Sequence, residues 1–240
     1  MEARPTTAEQ WAALRGKRVV FGHQSVGGNI LSGIRALAAS AAIDVRVTES
    51  RDLSAGGNIV HFTIGENGDP ASKMKDFAAT LRSAGTKDVD VAMMKLCYLD
   101  FDGGTDAGKV ATQYIETLDQ LAGEFPHVRF VAFTAPLTVR QTGPKAWAKR
   151  LLGRTPAGYA ENVRRLQFNE RLRARYGPEG RLFDLARFEA EGLGRYDHAG
   201  QAFEALNPAM TTDGGHLNGQ GEQRVAAELI ELLAGLPPAR

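Results

Sequence analysis

Two short stretches, far apart in the sequence, contain the side chains best suited to chemistry. The first reads GHQSVG at residues 22–27 and the second reads DGGH at residues 213–216. An aspartate three residues before a histidine can fold so that its carboxylate accepts a hydrogen bond from one imidazole nitrogen, which leaves the other nitrogen free to take a proton from a serine. Taken alone, the same spacing also suits a turn-forming aspartate and a half-buried loop histidine. Ser25, His216 and Asp213 are therefore candidates for a nucleophile, a general base and the acid that orients it.

The serine stretch lies between a predicted strand and a predicted helix. The apolar run at residues 18–21 is typical of a short buried strand, and Ile30, Leu31 and Ile34 then fall on one helix face. A strand that passes through glycine into a helix leaves Ser25 at the carboxyl edge of a sheet, beside the free N–H groups of a helix N-terminus. Either a nucleophile or a bound anion suits this position.

Strand-like and helix-like segments alternate along the whole chain. Strands are predicted at residues 18–21, 43–47, 59–64, 89–96, 128–135 and 181–185. Residues 1–16 are a polar lead-in in which Trp11 belongs to a short helix. The alternation predicts one α/β domain over residues 17–236, built on a mainly parallel sheet of about five strands.

In a sheet of this kind, ligands bind at the carboxyl ends of the strands, near a switch in strand order. This predicts a site formed by the segments after residues 21, 96 and 135, around residues 65–69, and before the last helix. Two of these segments contain helix starts. Asp69 is a predicted N-cap with Pro70 in the first helical position, and Asn218 is a predicted N-cap of the final helix.

Residues 138–158 are predicted as a loop, followed by a polar amphipathic helix at residues 160–176. The loop lacks acidic residues and contains Trp147 together with five basic residues, Arg140, Lys145, Lys149, Arg150 and Arg154. It is a candidate lid over an anionic or sugar-bearing substrate, or else a solvated insertion that Trp147 anchors to the body of the protein. Asn162 and Asn169 are seven residues apart on one helix face and are predicted to be polar surface.

The composition is that of an ordinary globular protein without excess charge. Twenty-nine Lys and Arg residues oppose 28 Asp and Glu residues, giving a net charge of +1, so no overall field favours nucleic acid or a membrane surface. The single cysteine, Cys97, excludes an internal disulfide and a cysteine-rich metal site. No apolar run approaches a membrane span, and residues 1–10 lack the apolar core of a signal peptide. We therefore expect a soluble protein without membrane insertion or nucleic-acid binding, cytoplasmic or exported after removal of a signal.

Together, the motifs resemble the SGNH, or GDSL-like, hydrolase superfamily. The resemblance rests on Gly22-x-x-Ser25-x-Gly27 after the first strand, on the Gly68-Asp69 pair that opens a helix, and on Asp213-x-x-His216 before the last helix. It extends over residues 17–235, because the order of the elements also matches. It implies a three-layer α/β/α fold of the flavodoxin-like type and a serine hydrolase acting on esters, typically acyl groups on lipids or carbohydrates. It implies the triad Ser25, His216 and Asp213, with no metal and no cofactor.

An oxyanion hole needs donors aimed at the tetrahedral intermediate. The backbone N–H of Ser25, at the start of a helix, is the first candidate. The resemblance implies the N–H of Gly68 as the second donor, with Gly65 as the fallback. His23 and Gln24, beside the serine, either shape the substrate pocket or extend into solvent.

The chain departs from the superfamily at the third block. That block, normally Gly-x-Asn-Asp with the asparagine as a donor, aligns with KLCY at residues 95–98, which contains no asparagine. Lys95, Asn67 or the hydroxyl of Tyr98 is left as the candidate for the third donor. Lys95 alternatively carries its charge past the strand end to solvent.

Three functions follow from the sequence. The first is a serine esterase, such as a carbohydrate O-acetyl esterase, that forms an acyl-enzyme and has a small-molecule or carbohydrate ester as substrate. The second is an acyltransferase on the same scaffold, with a sugar hydroxyl in place of water. The third is a non-catalytic module that binds an anion or a carbohydrate, with a phosphate or carboxylate held at the helix N-terminus. The oligomeric state is left open.

Overall fold

A computed structural model describes residues 4–237 of the chain. Its centre is a parallel sheet whose six strands are β1 (Val19–His23), β2 (Val47–Glu49), β3 (Ile59–Thr63), β4 (Val91–Met94), β5 (Arg129–Phe133) and β6 (Leu182–Phe183). Their order across the sheet is β2-β3-β1-β4-β5-β6. After β3 the chain crosses to the other side of β1, so the strand order switches between β1 and β4. Ligands of open α/β sheets bind beside such a switch, at the carboxyl ends of the strands.

Helices cover both faces of the sheet. They are α1 (Ala8–Arg15), α2 (Ser25–Ser40), α3 (Pro70–Ala84), α4 (Ala107–Glu124), α5 (Gly143–Leu151), α6 (Ala160–Tyr176), α7 (Leu185–Glu189) and α8 (Gly219–Gly235). One face packs against α1, α2, α7 and α8, and the other packs against α3, α4 and α6. The predicted three-layer α/β/α fold is therefore confirmed.

The strands alternate their side chains between two hydrophobic cores. In β1, Val19 and Phe21 belong to the core under α2 and α8, whereas Val20 belongs to the core under α3 and α4. In β4, Val91 and Ala92 divide in the same way. A strand buried on both faces is apolar at every position, which explains the continuous apolar runs in the sequence.

The structure differs from the predicted elements at the second strand. The predicted strand at residues 43–47 is wrong except at Val47, where β2 begins. The N–H of Ile43 donates to Ala38 O and closes the turn after α2, and residues 44–46 form an irregular connection that leads to β2. The short edge strand β2 brings the sheet to six strands rather than about five.

Two further elements were not expected from the sequence. The segment 138–158, predicted as a loop, contains α5. Beyond α7, an antiparallel hairpin joins β7 (Tyr196–His198) to β8 (Gln201–Phe203). Its two-residue turn places Ala199 and Gly200 at φ values of 53° and 75°, as a type I′ turn requires, but it lacks the Asn-Gly or Asp-Gly pair that would have indicated it.

The predicted helix starts are confirmed. The Asp69 side chain accepts a hydrogen bond from the N–H of Ser72, with Pro70 in the first turn of α3, and the Asn218 side chain accepts one from the N–H of Gly221 in α8. None of the helices in the described part of the chain is long and apolar enough to cross a membrane.

The prediction that Asn162 and Asn169 are surface residues is wrong, because both are fully buried. Each asparagine on α6 hydrogen-bonds to both backbone groups of one residue in the loop after β5. Asn169 accepts from the N–H of Ala135 at 2.7 Å and donates to its carbonyl at 3.1 Å. Asn162 makes the same pair of bonds with Thr138 at 3.2 and 2.7 Å. These bonds replace a strand partner, so the loop leaves β5 with a fixed course.

Candidate active site

The DGGH turn places a carboxylate directly against an imidazole. Asp213 Oδ2 lies 2.6 Å from His216 Nδ1, while Asp213 Oδ1 accepts the N–H groups of Gly215 and His216 at 2.9 and 2.8 Å. The bond from His216, followed by the two backbone bonds, holds the pKa of Asp213 well below its ordinary range. An exposed carboxylate is ionised at neutral pH in any case, and these bonds keep Asp213 ionised at lower pH as well.

The contact with Asp213 fixes the histidine tautomer. A carboxylate only accepts hydrogen bonds, so Nδ1 of His216 carries the proton and Nε2 presents its lone pair. The Tyr98 hydroxyl lies 3.5 Å from Nε2, and the two rings meet edge to face. A Cβ atom on Gly215 would lie 3.1 Å from the Tyr98 ring, so a side chain at position 215 would displace the tyrosine. The turn thus supplies an oriented base.

Ser25 is the first residue of α2 and is exposed. The N-cap residue, Gln24, makes no side-chain cap to the helix. Its amide instead donates to Ile64 O at 2.5 Å and to Gly65 O at 3.0 Å. The alternative that Gln24 extends into solvent is therefore wrong, whereas its role in shaping a pocket stays a prediction. The N–H of Gly27 donates to Gln24 O at 2.7 Å, and because the side-chain cap is missing, the N–H groups of Ser25 and Val26 are available to an external acceptor.

Ser25 and His216 lie at the starts of two helices that pack side by side. The Asn29 amide on α2 donates to Glu222 Oε1 on α8 at 2.7 Å. Gly33, about one turn further along α2, faces the backbone carbonyl of Glu222 so closely that a Cβ atom would lie 2.2 Å from its oxygen. Both helices begin near the carboxyl edge of the sheet. Ser25 and the DGGH turn therefore lie at the same edge.

The two side chains do not touch in this structure. Within residues 4–237 the Ser25 hydroxyl has no hydrogen-bond partner, and His216 Nε2 faces Tyr98 instead. Catalytic hydrogen bonds are often long without substrate and tighten only when it binds. The missing bond therefore does not exclude a nucleophile and base at this edge of the sheet.

The two predicted glycine donors already have acceptors. The N–H of Gly68 donates to Asp100 Oδ1 at 2.9 Å, and the N–H of Gly65 donates to Asp76 Oδ2 at 2.9 Å. A backbone N–H that donates to an ionised carboxylate has no free hydrogen for an oxyanion. The structure therefore does not present Gly68 or Gly65 as free donors.

A buried ion pair, which the sequence did not indicate, organises this loop. Lys73 on α3 and Asp100 after β4 are both fully buried as side chains, with Nζ 2.6 Å from Oδ1. Asp100 also accepts the N–H groups of Gly68 and Cys97, so it links the loops after β3 and β4. The sequence did not reveal the role of Lys73, because this lysine lies on the apolar face of a helix, where a hydrophobic residue is expected.

The same lysine orients Asn67. Lys73 Nζ donates to Asn67 Oδ1 at 3.0 Å, and an ammonium group has no acceptor capacity, so the amide oxygen must face it. The Nδ2 group of Asn67 therefore points away from the ion pair, and the residue is exposed. Asn67 is the predicted side-chain donor that this structure leaves with free hydrogens.

The expectation that Lys95 contacts substrate or solvent is wrong. Its side chain is fully buried, and Nζ donates to the carbonyl of the next residue, Leu96, at 2.9 Å. Burial lowers the pKa of Lys95 to about 8 and raises the pKa of Glu189, on α7, to about 8. Glu189 accepts the N–H of Leu137 at 2.6 Å. These groups support the loops from within and do not reach the site surface.

His23 is also internal rather than part of a pocket. Only 4% of it is exposed, and its Nε2 lies 3.1 Å from Nδ1 of His61. Burial lowers the pKa of His23 to about 3, so both rings of the pair are uncharged at neutral pH. Among the described residues, no group of three His, Cys, Asp or Glu side chains is placed to hold a metal ion.

The comparisons with known proteins concern the fold. Neither a family model nor a curated protein matches the sequence. Among solved structures, a Streptococcus pneumonia protein named provisionally as a platelet activating factor is 16% identical, with a TM-score of 0.53, over 94% of this chain and 91% of the other. The periplasmic domain of a Salmonella ser. Paratyphi A lipopolysaccharide acetyltransferase is 12% identical, with a TM-score of 0.48, over 88% and 81%. A peptidoglycan O-acetylesterase is 14% identical, with a TM-score of 0.38, over 75% and 47%.

Proposed function

We propose that the chain is a serine ester hydrolase of the SGNH type that uses Ser25, His216 and Asp213. The observation that carries the proposal is the 2.6 Å contact of Asp213 with His216 Nδ1, at the same sheet edge as a serine that begins an uncapped helix. A site that only binds an anion has no use for a histidine oriented by a carboxylate. Both features together suit acyl transfer to a serine.

The reaction would proceed through an acyl-enzyme. The Ser25 hydroxyl turns toward His216 Nε2, gives it the proton and attacks the ester carbonyl carbon. Ionised Asp213 stabilises the imidazolium that forms, and His216 then protonates the leaving alcohol. Water, activated by the same histidine, hydrolyses the acyl group and restores the serine. The alcohol and the acyl chain are left open by the geometry described above.

For the oxyanion hole we propose the backbone N–H of Ser25 and the Nδ2 group of Asn67. The N–H of Ser25 belongs to the uncapped first turn of α2, where the helix dipole also favours negative charge. Asn67 would supply the side-chain donor that the third block lacks, held in place by Lys73. The Tyr98 hydroxyl would instead keep His216 in position until substrate arrives.

Labelling by a fluorophosphonate tests the proposal without knowledge of the substrate, because the reagent reacts only with an activated serine. We expect the wild-type protein to be labelled, and Ser25→Ala and His216→Ala not to be. Ser32→Ala is the matched control, since Ser32 is an exposed serine on the same helix and should leave labelling unchanged. Labelling that persists in Ser25→Ala would remove Ser25 as the nucleophile.

An anion-binding module is the second candidate, favoured by the uncapped start of α2 and by the missing contact between Ser25 and His216. It predicts no labelling of the wild-type protein and binding of inorganic phosphate that survives His216→Ala. If labelling is seen, an acyltransferase is separated from a hydrolase by products, because only the transferase forms a new ester in proportion to an added sugar acceptor.

A further inference from the structure

Helix α5 turns its large apolar side chains toward solvent. Ala146 is its buried residue, whereas Trp147 and Leu151, one turn apart, are 65% and 66% exposed. Leu152, directly after the helix, is 72% exposed. Helices of globular proteins normally bury the apolar face. We call Trp147, Leu151 and Leu152 the outer face of α5.

The inner side of α5 is anchored, so the outer face keeps its direction. Arg150 Nη2 donates to the hydroxyl of Tyr159 at 2.8 Å, and its guanidinium lies 5.2 Å from the centre of that ring. The two ends of the segment also meet, since the N–H of Gln141 donates to Ala157 O at 2.9 Å and the N–H of Ala157 donates to Gln141 Oε1 at 3.2 Å. Tyr159 is itself buried.

The segment that contains α5 is cationic. Residues 138–158 contain no Asp or Glu. Within residues 4–237, Lys145, Lys149 and Arg154 form no ion pair, so no carboxylate of the described chain neutralises their charge. Lys145 and Lys149 lie two residues from Trp147 or Leu151, so they project from the opposite side of α5. An apolar side and a cationic side on one helix suit an interface between an apolar layer and anionic headgroups.

We propose that the outer face of α5 docks on the surface of a bilayer that contains anionic phospholipid. The helix would lie in the plane of the interface, with Leu151 and Leu152 at the boundary of headgroups and acyl chains and the Trp147 indole at headgroup depth. Lys145 and Lys149 would reach the lipid phosphates. Nine helical residues are enough for this geometry, because the helix lies on the membrane and does not cross it.

The position of α5 gives docking a consequence for the rest of the molecule. The N–H of Val139, at the start of the segment, donates to Gly214 O in the DGGH turn at 2.9 Å. The remaining exposed large hydrophobic residue of the described chain, Leu99, follows β4 at the same edge. Docking would therefore bring the carboxyl edge of the sheet to the lipid surface. The docking itself does not depend on the proposed esterase function.

Co-sedimentation with large unilamellar vesicles tests the proposal on the full chain. We expect the protein to pellet with vesicles of phosphatidylcholine and phosphatidylglycerol, and to bind pure phosphatidylcholine at least tenfold more weakly. Trp147 supplies a direct probe, because the other tryptophan, Trp11, is buried. Its emission should shift to shorter wavelength, and its quenching by iodide should fall, when anionic vesicles are added.

Variants assign the binding to α5. Trp147→Ser with Leu151→Ser should lower the vesicle partition coefficient at least tenfold, and Lys145→Gln with Lys149→Gln should lower it about fivefold for each lysine removed. The matched charge control is Lys17→Gln with Lys87→Gln, at the opposite end of the sheet, which should bind as the wild type does. Since Trp147 and Leu151 are exposed, near-ultraviolet circular dichroism and the melting temperature should show that the apolar variant is folded.

Three outcomes would overturn the proposal. The first is wild-type protein that stays in the supernatant with anionic vesicles, including when it binds a soluble anionic polysaccharide. The second is binding that does not change in the Trp147→Ser, Leu151→Ser variant. The third is a wild-type dimer in light scattering that this variant converts to a monomer without vesicle binding, which would make the outer face a contact between two copies of the chain.

Discussion

Two polar clusters in this protein, the DGGH turn and the Lys73–Asp100 pair, differ in exposure and in how fully they are hydrogen-bonded. In the DGGH turn, Asp213 is exposed and His216 is half-buried, and His216 Nε2 keeps a lone pair for a proton. In the ion pair, both side chains are fully buried, and Asp100 accepts from three different groups. The first cluster has capacity to react, whereas the second can only hold loops in place. Removing a group from each should therefore change different properties.

The largest effect is expected for Asp213→Asn. The amide can no longer fix the protonated Nδ1 tautomer, so turnover of a short-chain aryl ester should fall by about 10⁴-fold. Asp213 is exposed, so the urea midpoint should change little. If Asp213→Asn lost stability but kept its turnover, the DGGH turn would be a structural cluster and not the reactive one.

Asp100→Ala should show the opposite pattern. It leaves the ammonium of Lys73 buried without a counter-charge, which typically costs about 3–5 kcal/mol, and it frees the N–H groups of Gly68 and Cys97. We expect the free energy of unfolding in urea to fall by that amount. The control is Glu124→Ala, which breaks the exposed Arg82–Glu124 pair and should have a much smaller effect. A similar loss in both variants would show that the burial of the Lys73–Asp100 pair is unimportant.

Asn67→Ala connects the two clusters, because Asn67 is held by Lys73 and is exposed at the site. If its Nδ2 group donates to the oxyanion, kcat for ester hydrolysis should fall by about 10²–10³-fold while KM changes little. Asn67→Asp, which keeps the shape but not the donor, should be equally slow. Normal turnover in both variants would leave the side-chain donor to another residue.

The effect that is smallest for each step of the measurement concerns the pH dependence of stability. The folded pKa of His23, about 3, lies below the ordinary value of 6.5, so the unfolded chain binds more protons between these values. The contribution of uncharged His23 to the free energy of unfolding is fully present above pH 6.5. It is lost as the pH falls toward 3, by at most about 1.4 kcal/mol per pH unit. The pKa of Glu189 is raised to about 8, so the folded protein binds more protons than the unfolded chain between pH 4.5 and 8. The contribution of Glu189 to the free energy of unfolding therefore falls as the pH rises through this range.

The effect of His23 alone is measured as the difference in unfolding free energy between the wild type and a variant that lacks this histidine. We expect the gap in unfolding free energy between wild type and His23→Asn to narrow or invert from pH 7 to pH 4, because only the wild type must protonate His23 on unfolding. His61 contributes in the same direction but is retained in the variant. A gap that is constant with pH would mean that His23 is not held neutral by the fold.

Sequence predicted best those features that depend on neighbouring residues. The caps by Asp69 and Asn218 and the apolar strand runs need only local hydrogen bonds or burial on both faces, and the structure contains them. Asn162, Asn169 and Lys95 were misplaced, because a polar side chain does not reveal which distant backbone group it will bond. The three-residue spacing of Asp213 and His216 indicates a local contact, which is present at 2.6 Å. The acceptors of Gly65 and Gly68 come from other elements and were not foreseeable.

Helix α5 was missed for a related reason. Hydrophobic periodicity identifies a helix by the face that it turns to the core, and α5 turns its apolar face away from the core. The β7–β8 hairpin was missed because Ala199 adopts a positive φ that sequence normally assigns to glycine or asparagine. The exposed apolar residues of α5 and the positive φ of Ala199 are both features that burial in the main core does not explain.

Gly33 extends the influence of the site well beyond the residues near substrate. It lies eight residues after Ser25, about 12 Å along the helix at 1.5 Å per residue, and it sets how closely α2 can approach the backbone of Glu222. Any side chain there would separate α2 from α8 and with them the serine from the histidine. A mutational scan scored only on activity would therefore rank Gly33 beside the triad, although no substrate atom comes near it.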